Sequence, residues 1–310
     1  MRFIALEPAP WFAGHGVLTA RGDGVDCLLK EDAESTPVDL AALCDLPPGQ
    51  FRRLDEYGAI GVAAARQALR AAGVPRAEAT EPGWGVMIGS SIGCGASNAR
   101  HHRALRDRAK AEPNASDFVR TVANAVNGDI SIALRCTGAG QTFVSGWTAG
   151  AEAIIAAGAE LVAGRSRCVL AGGVESAPAA QGPAAQGPAC GAVLLMRSDG
   201  AAMEPGALRL AAFWRGHDPA GRWSLAGALD ALHPRRFARI VIANTIPADL
   251  LARWRDEAGG MALLELVRRT GEPGAAGSAV AVAMASRLDG SSLVIARDAA
   301  GGIAALALVR

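Results

Sequence analysis

The stretch QTFVSGWTAGAEAIIAAGAELVAGRSRCVLAGGVES, residues 141–176, reads as a strand, a sharp turn, a helix and a second strand ending at a double glycine. A strand that feeds a helix through such a turn holds the apex side chain in the open. It also aims the helix N-terminus, with unpaired N–H groups and partial positive charge, at whatever sits there. That arrangement lowers the pKa of a thiol and stabilises an oxyanion. Ser145, Gly146, Ala149 and Gly150 let the backbones approach closely, which suits a site of this kind and equally any tightly packed strand–helix turn. The apex residue, however, is Trp147. An indole N–H only donates, so it supplies no nucleophile.

Composition narrows the classes. The 310 residues allow one large domain or two ordinary ones, and half of them are hydrophobic. Mean hydropathy is +0.20, yet no apolar run is long enough to cross a bilayer without Gly or polar interruption. The opening MRFIALEPAPWF lacks the pattern of a secretion signal, so a soluble, cytoplasmic protein is expected. Thirty-one basic residues against thirty acidic ones give a net charge of +1, which favours neither nucleic acid nor an anionic membrane as partner. Near neutrality with high apolar content fits a face buried against another protein. The six cysteines (Cys27, Cys44, Cys94, Cys136, Cys168 and Cys190) are scattered, with no C-x-x-C pair, and read as free thiols. The histidines cluster only at His101–His102, so no metal site is expected.

Apolar runs recur between glycine-rich turns at 2–6, 85–91, 141–146, 168–176, 191–197, 208–214, 239–244, 291–298 and 302–309. Rich in Val, Ile and Leu and without alternation, they read as strands covered on both faces. Helical patterns lie between them at 52–72, 116–133, 148–157, 249–269 and 277–285. Alternating strands and helices imply a layered α/β fold. Each half closes on two neighbouring apolar runs, 168–173 with 191–197 and 292–297 with 302–310, which points to duplication. The polar Gly/Pro stretch 197–207 suits the joint, dividing the chain into 1–200 and a reduced 201–310. The segment SAPAAQGPAAQGPACG, 176–191, is of low complexity and reads as a loop.

Several of these segments resemble the β-ketoacyl synthases of the thiolase-fold superfamily. GAGQTFVSGWTAGAEAI and CVLAGGVES resemble the family's nucleophile region, and FRRLDEYGAIGVAAARQALRAAGV (51–74) its early helix. GVMIGSSIGCG (85–95) looks like the second strand and its glycine turn, and SDFVRTVANAVNGDISIALRCTGAG (116–140) like the helix before the nucleophile. GEPGAAGSAVAVAMA (271–285) is similar to the Gly-His…Gly-Ala-Ala-Gly motif, and RDAAGGIAALALVR (297–310) to the closing glycine-rich strand. The resemblance implies a thiolase-like α/β/α/β/α fold of two pseudo-duplicated halves, here shortened, and no cofactor.

The departures carry the functional expectation. Family condensation uses a cysteine nucleophile and two histidines that polarise the malonyl thioester carbonyl. The resemblance places those three positions on Trp147, Asn244 and Glu272. A carboxylate repels an enolate, so condensation by this chain is not expected. The family's long segment after the Gly-Gly strand is reduced here to 177–190, which removes the active-site lid. A ketosynthase-like chain without its cysteine resembles the chain-length factor of type II polyketide synthases, of the polyene or aryl-polyene type. Such a subunit pairs with a catalytic ketosynthase, meets an acyl carrier protein through the complex, and shapes the elongation tunnel. Under this reading Trp147 plugs the vacated acyl pocket, with ordinary turn packing as the alternative. Phe118, Thr121, Val122 and Ala125 are the tunnel candidates, core packing being the alternative for each. Gln141, Thr142, Phe143, Val144, Ser145 and Gly146 are the interface candidates. Arg103, Arg106, Arg108 and Lys110 read as a solvated face with Asp107 and Glu112 interleaved, or as a surface for the acidic carrier. The rival class is an independent acyl-transfer or hydrolytic enzyme, with Ser90, Ser91, Ser145 or Cys94 as nucleophile and His217 or His233 as base. A homodimeric acyl-binding protein is a third reading.

Overall fold

The computed structural model describes residues 2–29, 36–74, 83–107, 115–176, 189–200, 203–233 and 235–310. The chain opens with β1 (Ile4–Ala5), β2 (Trp11–Thr19), β3 (Gly22–Asp23) and three short helices, α1 (Asp26–Leu29), α2 (Leu40–Cys44) and α3 (Pro48–Phe51). There follow α4 (Glu56–Ala71), β4 (Trp84–Gly89), α5 (Gly95–Arg106), α6 (Ala115–Phe118) and α7 (Ala125–Leu134). The first half ends with β5 (Gly140–Phe143), α8 (Ala149–Val162), β6 (Cys168–Glu175) and β7 (Cys190–Arg197). The second half runs β8 (Arg209–His217), α9 (Leu225–Ala231), β9 (Arg239–Ile242), α10 (Ala248–Glu257) and β10 (Ala262–Glu265). It closes with α11 (Val267–Thr270), a 3-10 turn (Gly274–Ala276), α12 (Gly277–Ser286), β11 (Ser292–Arg297) and β12 (Gly302–Val309).

Setting aside the two-residue strands β1 and β3, both halves pair their strands in one order. The first reads β5-β4-β6-β7-β2 and the second β10-β9-β11-β12-β8, each being third, second, fourth, fifth, first. The second, third and fourth strands are mutually parallel in each half; the fifth is antiparallel to the fourth, and the first to the fifth. The two first strands meet where Trp11 stands opposite Arg209, joining both sheets into one hydrogen-bonded path.

Three apolar clusters define the layers. α4 and α7 pack on the outer face of the first sheet, α9 and α10 on that of the second, and the largest cluster lies between the sheets around α8 and α12. The layer order is therefore α/β/α/β/α, a thiolase-type fold of two repeated halves. β4 and β6 are buried at every residue, as strands covered on both faces must be.

Several elements differ from the sequence expectation. β2 is a nine-residue strand that the apolar runs did not reveal, because Gly14 and Gly16 interrupt its hydrophobic pattern. The interruption is required: a Cβ on Gly16 would lie 1.9 Å from the Ala64 carbonyl oxygen of α4. The first segment, expected as a strand over 2–6, is only Ile4–Ala5. The helix expected over 249–269 stops at Glu257, because Gly259 and Gly260 take φ values of 59° and 88°. Beyond them ALLE pairs as β10 in parallel with β9. The helix expected over 116–133 is two helices separated by turns at 119–124, where β-branched Val119, Thr121 and Val122 weaken helix propensity. The helix expected over 52–72 starts only at Glu56: residues 52–55 are turn and coil after α3, and the α4 N-cap Asp55 accepts a hydrogen bond from Gly58 N at 2.9 Å. The low-complexity loop falls outside the described residues at 177–188, as do Arg108, Lys110 and Glu112.

Candidate functional site

The turn between β5 and α8 is sharp because Gly146 takes φ +70°, and its backbone lies against the Asp298 carboxylate that follows β11. The Thr148 hydroxyl donates to the Ser145 carbonyl at 3.1 Å and Ala149 N to the Gly146 carbonyl at 3.2 Å, so the helix starts directly after the apex. Trp147 stands there half-buried. One turn on, a Cβ at Gly150 would lie 2.0 Å from the Ala275 carbonyl oxygen. The apex helix therefore rests on the 3-10 turn that follows Glu272.

Asn244 and Glu272, 28 residues apart, are hydrogen-bonded to each other. The Asn244 amide donates to Glu272 Oε1 at 2.9 Å and to the Gly274 carbonyl at 2.8 Å. Glu272 also accepts from Gly274 N at 3.0 Å and, through Oε2, from Thr245 N at 2.8 Å. Asn244 is fully buried, and its Oδ1 has no partner. Its donor capacity is spent on the protein, and the carboxylate is an acceptor already holding three donors. Neither side chain offers an N–H to a thioester carbonyl.

Sequence reasoning missed Glu175, the last residue of β6. Buried at 5 % exposure, its carboxylate accepts from Ser90 Oγ (3.1 Å), Ser91 N (2.5 Å), Ser91 Oγ (2.6 Å), Ile92 N (3.3 Å) and Ala275 N (3.2 Å). It ties the loop after β4 in the first half to the 3-10 turn in the second. The only signal available was an acid closing an otherwise apolar strand in CVLAGGVES.

The same network bears on the rival nucleophiles. Ser90 and Ser91 give their hydroxyls to this carboxylate, and Ser145 Oγ is buried without a partner. His217 and His233 are exposed, and among the described residues no hydrogen bond joins either to Ser90, Ser91, Ser145 or Cys94. Burial pushes the Cys94 thiol above its ordinary value, despite a hydrogen bond from Asn98 Nδ2 at 3.2 Å. Burial likewise lifts Cys44 to about 11 and Cys136 to about 12. Thiolate, the reactive form, is therefore scarce at neutral pH. Maleimide at pH 7.5 is expected to label Cys94 far more slowly in the native protein than in urea; equal rates by mass spectrometry would refute this.

The tunnel candidates do not share one continuous helix. Phe118 ends α6, Thr121 and Val122 lie in the turns, and Ala125 starts α7. Phe118 and Val122 are 63 % and 50 % exposed, which rules out core packing for these two. Of the interface candidates, Gln141, Thr142 and Phe143 lie in β5, the terminal strand of the sheet, and Val144 follows it exposed. Arg103 and Arg106 occupy the last turn of α5. Among the described residues no group of three or more His, Cys, Asp or Glu side chains is placed to hold a metal ion. None of their helices is long and apolar enough to cross a membrane.

Fold and apex together define a thiolase-type ketosynthase architecture. The family model of the β-ketoacyl synthase N-terminal domain matches residues 40–201, and the chain belongs to the β-ketoacyl synthase family. Solved structures agree in fold. One is described as "AntDE:AntF (apo): type II PKS acyl-carrier protein in complex with its ketosynthase bound to the hexaketide", with TM-score 0.80, 15 % identity and 99 % of each chain covered. Another is "The ishigamide ketosynthase/chain length factor", with TM-score 0.77 and 18 % identity over 97 % of this chain and 99 % of that one. A β-ketoacyl synthase from Burkholderia phymatum STM815 gives TM-score 0.76 and 16 % identity, again over 97 % and 99 %. No curated protein sequence matches the chain.

Proposed function

We propose that this chain is a non-catalytic chain-length factor, which pairs with a catalytic ketosynthase and shapes the tunnel in which that subunit's polyketide grows. The observation that carries the reading is the Asn244–Glu272 hydrogen bond beside an apex occupied by Trp147. Decarboxylative condensation requires a nucleophile and donors to the developing enolate; Trp147 provides no nucleophile, and Asn244 and Glu272 have no free donor in place of the two histidines. Trp147 fills the vacated acyl pocket as a rigid plug. Among the structural neighbours, one is described as a ketosynthase/chain length factor and another as a ketosynthase complex with an acyl-carrier protein, which supports a partner of each kind.

The free edge of β5 is the interface in this reading. Thr142 Oγ1 and Ser145 Oγ are buried there without hydrogen-bond partners, and Ile132 on the neighbouring α7 is 79 % exposed. A strand edge that is unpaired among the described residues, flanked by exposed aliphatics, supports reading this face as one that another chain covers. Phe118, Thr121, Val122 and Ala125 face the partner's tunnel.

Co-expression tests the proposal. With a ketosynthase that retains its cysteine, the chain is expected to elute as a stable heterodimer. A soluble homodimer that turns over acyl thioesters alone would overturn the reading. In the complex, Ala125→Leu, Ala125→Phe and Ala125→Trp are expected to shorten the product progressively. Unchanged length across the three would remove Ala125 from the tunnel.

A further inference from the structure

We propose that Arg120 is a positioning residue whose inward clamp sets how far an apolar knob, formed by Phe118, Val119 and Val122, projects into the partner ketosynthase's apolar cavity. This rests on the chain-length reading above and names the device that would set the length. The three knob side chains are 63 %, 60 % and 50 % exposed; Phe118 ends the four-residue α6, and Val119 and Val122 sit on the turns that follow it. Exposed apolar side chains on an irregular segment are ordinarily mobile, so a defined protrusion needs an anchor.

Arg120 supplies it. Its side chain is only 14 % exposed and runs opposite to its neighbours. One arm forms an ion pair with Asp129 on α7, and the other donates to the Arg53 carbonyl at 2.6 Å, just ahead of α4. Asp129 is 9 % exposed and packs directly against Gly58 in α4, which fixes that side of the anchor, while Arg53 lies in the exposed turn that leads into α4. A second tie, from the Tyr57 hydroxyl to the Ala123 carbonyl at 3.3 Å, holds the far end of the same segment to α4. The Thr121 hydroxyl closes the turn on the Phe118 carbonyl at 2.7 Å. A planar guanidinium reaching two acceptors at once defines position better than an ammonium could. The clamp therefore converts packing on α4 into a fixed height for the knob.

The test uses the full chain in complex with its ketosynthase, comparing wild type, Arg120→Lys, and the neutral pair Arg120→Gln with Asp129→Asn. The pair removes the clamp without stranding a buried carboxylate. Complex formation, melting temperature and product-length distribution are read together. The complex is expected to survive in both variants, while the share of the dominant product falls by roughly twofold or more in the neutral pair. Arg120→Lys should fall between wild type and the pair. A lower melting temperature with an unchanged distribution would make Arg120 merely structural and overturn the clamp. The chain-length reading would then still stand if the Ala125 series shifts product length. Variants that alter self-association of the chain without ketosynthase would place the knob in a homodimer and overturn the proposal. No complex with the wild-type chain would remove the reading on which it rests.

Discussion

Glu175→Ala is expected to destabilise the protein by about 4 kcal/mol or more, at the exceptional end for one substitution. The substitution deletes a single acceptor group, but five donors converge on it from two halves of the molecule. Each buried donor left without a partner costs about 1–3 kcal/mol, and relaxation keeps the sum below the simple total. Gly274 packs against the Glu175 side chain, so the loss also loosens the turn beside Glu272. Thermal unfolding is expected to show a fall of about 10 °C for a chain of this size. A fall within the error of the measurement would show that water replaces the carboxylate freely and that the two halves do not depend on it.

Glu272→Ala is the second large effect, at about 2–3 kcal/mol. It strands the part-buried Gly274 N, leaves the exposed Thr245 N to water, and removes one of the two acceptors of the buried Asn244 amide. Because Asn244 is fully buried with Oδ1 already unpaired, little capacity remains there to absorb the loss. A double-mutant cycle of Glu272→Ala with Asn244→Ala should give a coupling of about 1–2 kcal/mol. Additive effects would mean that the hydrogen bond contributes nothing, and that these positions are separate relics rather than one structural unit.

How much of this was legible beforehand depended on whether the signal was local. β6 and β7, like β11 and β12, were readable because unbroken apolar runs between glycine turns have few other solutions, and their pairing reveals the duplicated halves. β10 was lost inside an apparent helix: Leu250, Trp254 and Ala258 follow helical spacing, and ALLELV continues the apolar run past the turn. Only the consecutive glycines at 259 and 260 marked the break. β2 was hidden for the opposite reason, since its glycines serve contact with α4 rather than its own strand pattern. At the site, Trp147, Asn244 and Glu272 were found as isolated departures from a family pattern. Their physical relation was not, because a hydrogen bond spanning 28 residues exists only once β9 and the 3-10 turn are brought together. Glu175 and Arg120 were invisible for the same reason: each reads as an ordinary charge until its distant partners are placed.

The most direct test of a non-catalytic subunit is where the acyl group goes. The co-purified complex would be loaded with an acyl carrier thioester and both intact subunits weighed by mass spectrometry. The acyl mass is expected on the partner ketosynthase alone, with this chain unmodified at every time point. An acyl adduct on this chain, at Ser90, Ser91, Ser145, Cys94 or any other residue, would contradict the account.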